Sequence, residues 1–504
     1  MSDNKALQRA SFIFLIAVAL YIFGPFMGIV GMSGMVGDTM IQIKAGLDAL
    51  SSGHFILDEI YSWHEGLKWT AHESGWYVLL GFAYKTAGLW GVIGVGCLFN
   101  YLTAMTSVWY LRDKAHPMIS AAVMIILTRM AGFPDYNVRP SVTSAAVIAI
   151  LIVVTLSDSK SIYKAIVFSV GAFVLAWLHG GISPLYFAVY AGLTILELFY
   201  KKFKDFFIML AGIPVGFGLT LLNPIGFEIW SFGAKQAGAT DIWAYVDEWQ
   251  PKSFSVIEII MVVILIAGFI IDERTRKFDK KTITKICLIV ASLVLTCIYK
   301  RFMLYFTVMY LLFAPEELDI LIKWIVKKVS KKDSISLSLS SSFYYILAGL
   351  CAVIFIGSGV YLGMTYLPSN SMTDIEKMAA YDHGAVDVIL AKDYKRIYNS
   401  FDTGSWLLFN GIKVHIDNRI DPFMEEYSGV DHIRGTMFIG SIEEMDSFRQ
   451  KYDNDAFLLT SPAPQLVDYI GENCSDRYEV VYDNTVSSNI VNGLSIRWVI
   501  VECR

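Results

Sequence analysis

Long apolar runs separated by short polar segments fill the chain up to about residue 366. The first run, from Ser11 to Val30, contains no charged residue and is long enough to cross a bilayer, which takes about 20 apolar residues. Similar runs follow at roughly 89–111, 117–132, 140–156, 164–178, 181–200, 206–222, 255–271, 283–299, 302–314 and 343–366. The pattern predicts about eleven membrane-spanning helices.

The pattern changes after about residue 366. Short apolar stretches of β-like composition alternate there with helical-looking segments. The predicted strands are Arg396–Tyr398, Lys413–Ile416, Ala456–Thr460, Tyr478–Tyr482 and Ile496–Val501. The charge balance also reverses, since residues 367–504 hold 22 Asp and Glu but 12 Lys and Arg. We therefore predict an α-helical polytopic membrane domain over 1–366 and a small α/β domain over 367–504.

Composition narrows the class of protein. Of the 504 residues, 55% are hydrophobic and 17% charged, and the mean hydropathy is +0.51. Soluble proteins carry about 25% charged residues, so an ordinary cytosolic enzyme is excluded. The net charge of −5 gives no indication of nucleic-acid binding.

The distribution of basic residues predicts the orientation in a bacterial plasma membrane. With a cytoplasmic N-terminus, the inner segments hold 20 Lys and Arg residues and the outer segments before the last span hold nine. The positive-inside rule favours this arrangement. Because eleven is an odd number, residues 367–504 then form an extracytoplasmic domain.

The first outer segment, within 33–88, combines a carboxylate with an amphipathic stretch. Asp38 precedes a stripe formed by Met40, Ile43, Leu47 and Leu50. This stripe predicts a helix in the interfacial plane of the bilayer, with Lys44 and Asp48 facing water. Asp38 occupies the position of a helix N-cap, but a carboxylate there could also accept a proton from a hydroxyl group. The two roles are compatible.

Further polar residues follow in the same segment. Asp58, His72 and Glu73 are candidates for contacting a ligand, whereas Glu59 and His64 are interpreted as ordinary solvated loop residues. His72 and Glu73 are neighbours, so both reach one ligand only where the backbone bends. A divalent metal ion held by some of these side chains is an alternative, although no spacing specifies it.

Arginines mark several outer ends of the predicted spans. Arg129, Arg139 and Arg301 share one predicted depth, and the planar guanidinium group binds phosphate oxygens in pairs. We predict a lipid-phosphate site there; the alternative is contact with lipid headgroups. Other polar residues predicted at this level are Asp135, His179, Asp247, Glu248 and Lys300.

The chain contains six cysteines. Cys97, Cys287, Cys297 and Cys351 fall in predicted spans and are interpreted as small apolar residues. Cys474 and Cys503 belong to the exported domain, where a disulfide could persist, but their pairing is not specified by the sequence.

Several short motifs occur in a characteristic order. They are Gly37-Asp38-Thr39, His72-Glu73, Arg139-Pro140, Trp177 to Gly181, Asn223-Pro224, Glu248-Trp249, Lys300-Arg301, Asp402-Thr403-Gly404 and Ile416-Asp417-Asn418-Arg419. This order resembles the bacterial GT-C-like membrane glycosyltransferases, including relatives with a C-terminal extracytoplasmic α/β domain. The chain departs from them at Ser74-Gly75-Trp76, where Trp-Leu is usual.

The resemblance implies a polyprenyl-phosphate-linked sugar donor and transfer on the outer face, with Asp38 as the catalytic base. The acceptor would be a glycan, lipid or protein of the cell envelope. We assign catalytic roles to Asp38, His72 and Glu73. The predicted substrate-binding residues are Asp58, Arg129, Arg139, His179, Glu248, Lys300 and Arg301. None of the motifs above contains a clear Asp-x-Asp pair, so no metal ligand is assigned.

Two other functions compete with sugar transfer. A transporter or flippase of a lipid-linked intermediate would place charged groups deep in the spans or break helices at matching positions of two halves. The predicted spans carry no charge at mid-depth. A nonenzymatic scaffold that binds a partner through residues 367–504 would leave the Asp38 segment and the arginines without a role.

Overall fold

The computed structural model describes residues 2–33, 37–130, 138–238, 246–277, 279–330, 339–366, 381–487 and 495–504. Within these ranges, eleven helices match the predicted apolar runs in order. They are α1 (Ser2–Ser33), α3 (Ser74–Leu111), α4 (Pro117–Met130), α5 (Ser141–Leu156), α6 (Ser161–Leu178), α7 (Ser183–Phe199), α8 (Phe203–Thr220), α10 (Val256–Arg276), α11 (Lys280–Ile298), α12 (Met303–Ser330) and α13 (Ser341–Tyr366). Two further helices, α2 (Asp38–Ser52) and α9 (Glu228–Gly238), connect them.

Seven helices of the described chain are long and apolar enough to cross a membrane. Helices α4 and α5 are apolar but shorter, while α10 and α12 carry charged residues near one end. The helical, multi-pass character predicted from the apolar runs is confirmed. The exact number of spans stays a prediction.

Helix α2 packs on protein along its apolar side. Met40 and Ile43 are buried, and Gly46 lies against Gly81 of α3 so closely that no side chain fits between them. Beyond this contact α3 changes direction at Ala87 and Gly88, where the predicted span begins. Protein thus covers Met40 and Ile43 of the predicted stripe, while Leu47 and Leu50 stay partly exposed. The position of α2 relative to the bilayer interface stays a prediction.

The C-terminal part contains a four-stranded sheet in the order β1-β2-β4-β3. Its strands are β1 (Ile397–Asn399), β2 (Ala456–Thr460), β3 (Tyr478–Ser487) and β4 (Ser495–Cys503). Strands β1 and β2 are parallel and the other pairs antiparallel. Alternate residues of β2 enter two separate apolar clusters, so both faces of the sheet are covered.

Helices complete this domain. They are α14 (His383–Lys392), α15 (Gly404–Phe409), α16 (Glu425–Ser428), α17 (Ile442–Tyr452) and α18 (Pro464–Asn473). The predicted strand at Lys413–Ile416 is wrong, because Val414 forms a single bridge with Ser62 instead. All six cysteines are free thiols, so Cys474 and Cys503 are not joined.

The C-terminal domain docks on the segment that follows α2. Arg419 forms ion pairs with Asp417 and with Glu59, whose side chain is completely buried. Nε2 of His64 lies 2.8 Å from Nδ1 of His415. The interpretation of Glu59 and His64 as solvated loop residues is therefore wrong, since the folded-back domain buries the Glu59 side chain and partly buries His64.

Buried charges also occur at the end of the helices remote from the docked domain. Nζ of Lys285 in α11 lies 2.6 Å from Glu316 and 3.3 Å from Glu317, both in α12. Lys164 and Glu197 form a second pair between α6 and α7. These charges are paired with one another, as buried ionic groups generally are.

Candidate functional site

A cavity of about 740 Å³ lies where the connections at one end of the helices meet the C-terminal domain. This volume suits a small ligand or the head of a larger one. Eight of the predicted site residues line it: Asp38, His72, Glu73, Arg139, His179, Glu248, Lys300 and Arg301. They come from segments far apart in sequence. They lie at a similar level along the helices because each stands at the end of an apolar helix or in the segment that connects two helices.

Asp38 is the first residue of α2, and Gly37 is the N-cap. Gly37 has a φ of 74°, a left-handed conformation that favours glycine. The Asp38 carboxylate makes no capping hydrogen bond, so its interpretation as an N-cap is wrong. Instead, its Oδ2 lies 3.1 Å from Nη2 of Arg139. Next to it, the Thr39 hydroxyl donates to the carbonyl of Val138, which ties the start of α2 to the arginine.

Two guanidinium groups, those of Arg139 and Arg301, approach the carboxylate of Glu248. Nη1 of Arg139 lies 2.6 Å from Oε2 of Glu248, and Nη1 of Arg301 lies 3.8 Å from Oε1. The guanidinium of Arg301 also stands over the ring of Trp249, 4.3 Å from its centre. The backbone N–H of Lys300 donates to the carbonyl of Gln250, which holds the two connections together. Positive charge is thus concentrated on one side of the cavity.

His72 and Glu73 face the cavity together because the chain turns before α3. Glu73 has a φ of −130°, which lies outside the helical range. This backbone bend lets the neighbouring side chains of His72 and Glu73 face the same cavity. Nε2 of His72 lies 3.4 Å from Oε1 of Glu73, and Gln42 donates to Oε2 at 3.2 Å. Burial opposes a charge on either group, but their mutual attraction prevails. It raises the pKa of His72 and lowers the pKa of Glu73.

His179 occupies the turn between α6 and α7. Its Nδ1 lies 2.9 Å from the Ser144 hydroxyl, which is 2.7 Å from the hydroxyl of Tyr305. Burial lowers the pKa of His179 to about 4. The imidazole is therefore neutral at physiological pH and can accept or donate a hydrogen bond.

Asp38 holds its proton more tightly than an ordinary aspartate. Burial raises its pKa to about 6, an effect that Arg139 partly offsets and that Glu248 and Glu73 reinforce. A carboxylate with this pKa is still ionised at pH 7 and is a stronger base than a solvated one. That combination suits proton transfer near neutral pH.

The C-terminal domain supplies part of the cavity wall through Phe401, Asn418, Arg419 and Asp421. Asn418 packs against Gly37, beside the catalytic candidate Asp38. The motif ending at Arg419 belongs to this domain, but no site residue was predicted in it from the sequence. The sequence signal for these residues was the polar run Asp417-Asn418-Arg419, which follows an apolar stretch. Such a run does not show against which part of the protein the domain packs.

Two predicted site residues are not brought to the cavity by the described structure. Asp58 is exposed and pairs through its backbone with Lys68. The side chain of Arg129 lies outside the described residues, as do Asp135 and the side chain of Asp247. Among the described residues, no three His, Cys, Asp or Glu side chains are arranged to hold a metal ion.

No protein-family model matches the sequence, and no curated protein matches it significantly. Solved structures do resemble the model. ArnT from Cupriavidus metallidurans, bound to undecaprenyl phosphate, is 13% identical, with 97% of each chain covered and a TM-score of 0.50. The Archaeoglobus fulgidus oligosaccharyltransferase tethered to an acceptor peptide is 12% identical over 90% of this chain and 68% of its own, with a TM-score of 0.48.

A similarity at this identity concerns the fold. The chain has a GT-C-like fold, and the match with ArnT extends over nearly the whole of both chains. The resemblance predicted from the order of the short motifs is thereby confirmed at the level of the fold. The predicted fold class is confirmed as a helical membrane protein with a small C-terminal sheet.

Proposed function

We propose that the protein is a membrane glycosyltransferase that uses a polyprenyl-phosphate-linked sugar. The acceptor is a hydroxyl-bearing glycan, lipid or protein of the cell envelope, and transfer takes place on the extracytoplasmic face of the plasma membrane. One observation carries the proposal: a single cavity holds the Asp38 carboxylate in contact with Arg139, with a second arginine beside it. A base and an anion-binding group are the two parts that this reaction needs.

The arginines bind the donor phosphate in this proposal. Arg139 and Arg301 both approach Glu248, so their guanidinium groups already point toward one region. A phosphate group entering there would replace the Glu248 contacts and accept paired hydrogen bonds from each fork. Lys300 adds a third positive charge to the same wall. The structural neighbour ArnT, bound to undecaprenyl phosphate, supports this class of ligand.

Asp38 then acts as the general base. It accepts the proton of the acceptor hydroxyl while that oxygen forms a bond to the anomeric carbon of the sugar. The bond from this carbon to the phosphate oxygen breaks, and polyprenyl phosphate leaves with both electrons of that bond. The arginines stabilise the charge that develops on the leaving phosphate. Glu73 raises the pKa of His72, which favours the imidazolium form beside the Glu73 carboxylate at the cavity wall.

The two competing functions make different use of the cavity. A flippase moves a lipid-linked sugar without breaking the bond to phosphate, so it needs no base. A scaffold needs neither a base nor a phosphate site. The contact between a carboxylate of raised proton affinity and an arginine favours transfer over both.

The test measures release of polyprenyl phosphate from labelled polyprenyl-phosphate sugars by the protein in nanodiscs. We expect Asp38→Asn to lower release at least a hundredfold, because the amide cannot accept the proton, while undecaprenyl phosphate still binds. The control is Asp48→Asn in the same helix, since Asp48 pairs with Lys44 outside the cavity. Full activity of Asp38→Asn would falsify its role as base.

Donor binding supplies a second measurement. Arg139→Lys and Arg301→Lys keep the charge but lose the paired geometry, so we expect undecaprenyl phosphate to bind about ten- to hundredfold more weakly. Equal affinity in the wild type and both variants would exclude the phosphate site. A wild-type protein that binds undecaprenyl phosphate but never releases it from any sugar would favour the flippase.

A further inference from the structure

One buried carboxylate in the cavity has a free oxygen and comes from the C-terminal domain. Asp421 is 4% exposed, lines the cavity, and its Oδ2 accepts no hydrogen bond from any described residue. Carboxylate oxygens accept hydrogen bonds avidly, and leaving one buried without a donor is costly. A carboxylate with an unsatisfied oxygen at the wall of a ligand-sized cavity indicates a place where a ligand donates.

The backbone that presents Asp421 is strained. Ile420 has φ 62° and ψ −56°, although a β-branched residue strongly disfavours positive φ. Such strain persists only where the surroundings enforce it, and it occurs preferentially at functional sites. Here it places Asp421 at the start of a single helical turn, Asp421–Phe423, against the cavity.

Asp421 stands apart from the proposed phosphate site. Burial raises the pKa of Asp421 to about 7, and the positive charges that oppose this rise most are those of His72 and Arg419. Arg139 and Arg301 instead approach Glu248. Aromatic side chains of Trp69, Phe232 and Phe401 also line the cavity. A wall that combines acceptors of hydrogen bonds with aromatic rings suits a sugar, whose hydroxyl groups donate and whose C–H faces are apolar.

We propose that Asp421 binds a hydroxyl group of a sugar, so that the C-terminal domain contributes a substrate-binding residue to the cavity. This assignment rests on the proposed glycosyltransferase function and deepens it. The Asp421 carboxylate accepts the hydrogen bond, and Asp421 takes no part in the proton transfer assigned to Asp38. The sugar is either that of the donor or that of the acceptor, because both pass through one cavity.

The experiment compares the full-length wild type with Asp421→Asn in nanodiscs. Asp468→Asn is the matched control, since Asp468 is exposed on α18 of the same domain. The probes are undecaprenyl phosphate and a panel of undecaprenyl-phosphate hexoses and pentoses. We expect the wild type to bind at least one of the sugar-bearing lipids about tenfold more tightly than the sugar-free lipid. Asp421→Asn should abolish that difference and leave sugar-free binding unchanged.

A second arm identifies the source of the sugar. If Asp421→Asn retains the donor preference but raises KM for a glycan acceptor about tenfold, Asp421 contacts the acceptor. Unchanged donor binding together with unchanged acceptor KM in Asp421→Asn overturns the assignment. A wild type that fails to bind undecaprenyl phosphate at all refutes the proposed function instead.

Thermal unfolding separates binding from a structural role. Asn has nearly the volume of Asp and removes a buried charge, so we expect Asp421→Asn to unfold at the same temperature or higher. A structural Asp421 would give a lower unfolding temperature and weaker binding of both lipids. Asp421→Ala is measured in parallel, so that the assignment does not depend on one variant folding.

Discussion

The chemistry available to Asp38 follows from its place in the first turn of α2. Because Gly37 takes the N-cap position, the carboxylate is released from capping and pairs with Arg139 across the cavity. An exposed aspartate would lose its proton near pH 4 and be a weak base. In the cavity, burial raises its pKa to about 6, which makes the same side chain a better proton acceptor.

This pKa predicts the pH dependence of sugar transfer. Only ionised Asp38 accepts a proton, so activity should fall as the pH drops below about 6, by about tenfold per pH unit. Arg139 lowers the pKa of Asp38, so Arg139→Gln should move the midpoint of this acid limb to higher pH. The measurement is the rate of polyprenyl phosphate release between about pH 4.5 and 8. A midpoint near pH 4 in both proteins would show that Asp38 is not the titrating base.

Arg139, His179 and Arg301 share one property: each adjoins the end of a predicted apolar run. Hydrophobic patterning fixes the depth of such positions, which is why Arg139 and Arg301 meet at Glu248 despite their separation in sequence. Asp58 lies within a long polar segment, where no apolar run sets its position. Asp421 was missed because only the docking of a separate domain brings it to the cavity.

At the scale of elements, the position of Asp38 depends on the contact between α2 and α3. A Cβ on Gly46 would lie 1.8 Å from the carbonyl oxygen of Tyr77, and a Cβ on Gly81 would lie 2.4 Å from the carbonyl carbon of Gly46. The two backbones therefore touch. This contact holds the N-terminus of α2 beside the turn that carries Glu73, to which Gln42 donates.

The close contact predicts that Gly46→Ala impairs both stability and activity. The added methyl group must push α2 away from α3, and overpacking of this kind costs about 1–3 kcal/mol. We expect a lower unfolding temperature and a release rate reduced at least tenfold, since Asp38 moves with α2. The control is Gly94→Ala in α3, where a Cβ meets nothing within 4 Å. Equal activity of Gly46→Ala and the control would show that the contact does not position Asp38.

At the scale of the whole molecule, the helices were easier to predict from the sequence than the packing of the C-terminal domain against them. Apolar runs of membrane length predict helices because a spanning backbone must satisfy its own hydrogen bonds. The strands Ala456–Thr460 and Tyr478–Ser487 were similarly indicated by short β-like runs. The docking of the C-terminal domain depends instead on pairs such as Arg419 with Glu59, which lie 360 residues apart. No local pattern in the sequence specifies such a pair.

The architecture also predicts on which side of the membrane the cavity opens. The charge distribution predicts a cytoplasmic N-terminus, and the cavity lies at the end of the helices where the C-terminal domain docks. Ser447 is exposed on α17 of that domain. In a variant whose six native cysteines are replaced, Ser447→Cys should react with a membrane-impermeant thiol reagent in intact cells, because an extracytoplasmic side chain is accessible without lysis.

The matched control for this topology is Lys202→Cys in the same background, since Lys202 is exposed in the connection between α7 and α8, at the opposite end of the helices. We expect Lys202→Cys to react only after the cells are lysed, because the positive-inside rule places this basic connection in the cytoplasm. The inverse result, with Lys202→Cys labelled in intact cells and Ser447→Cys protected, would place the cavity in the cytoplasm. It would also exclude transfer on the outer face, whatever the fate of the Asp38 variant.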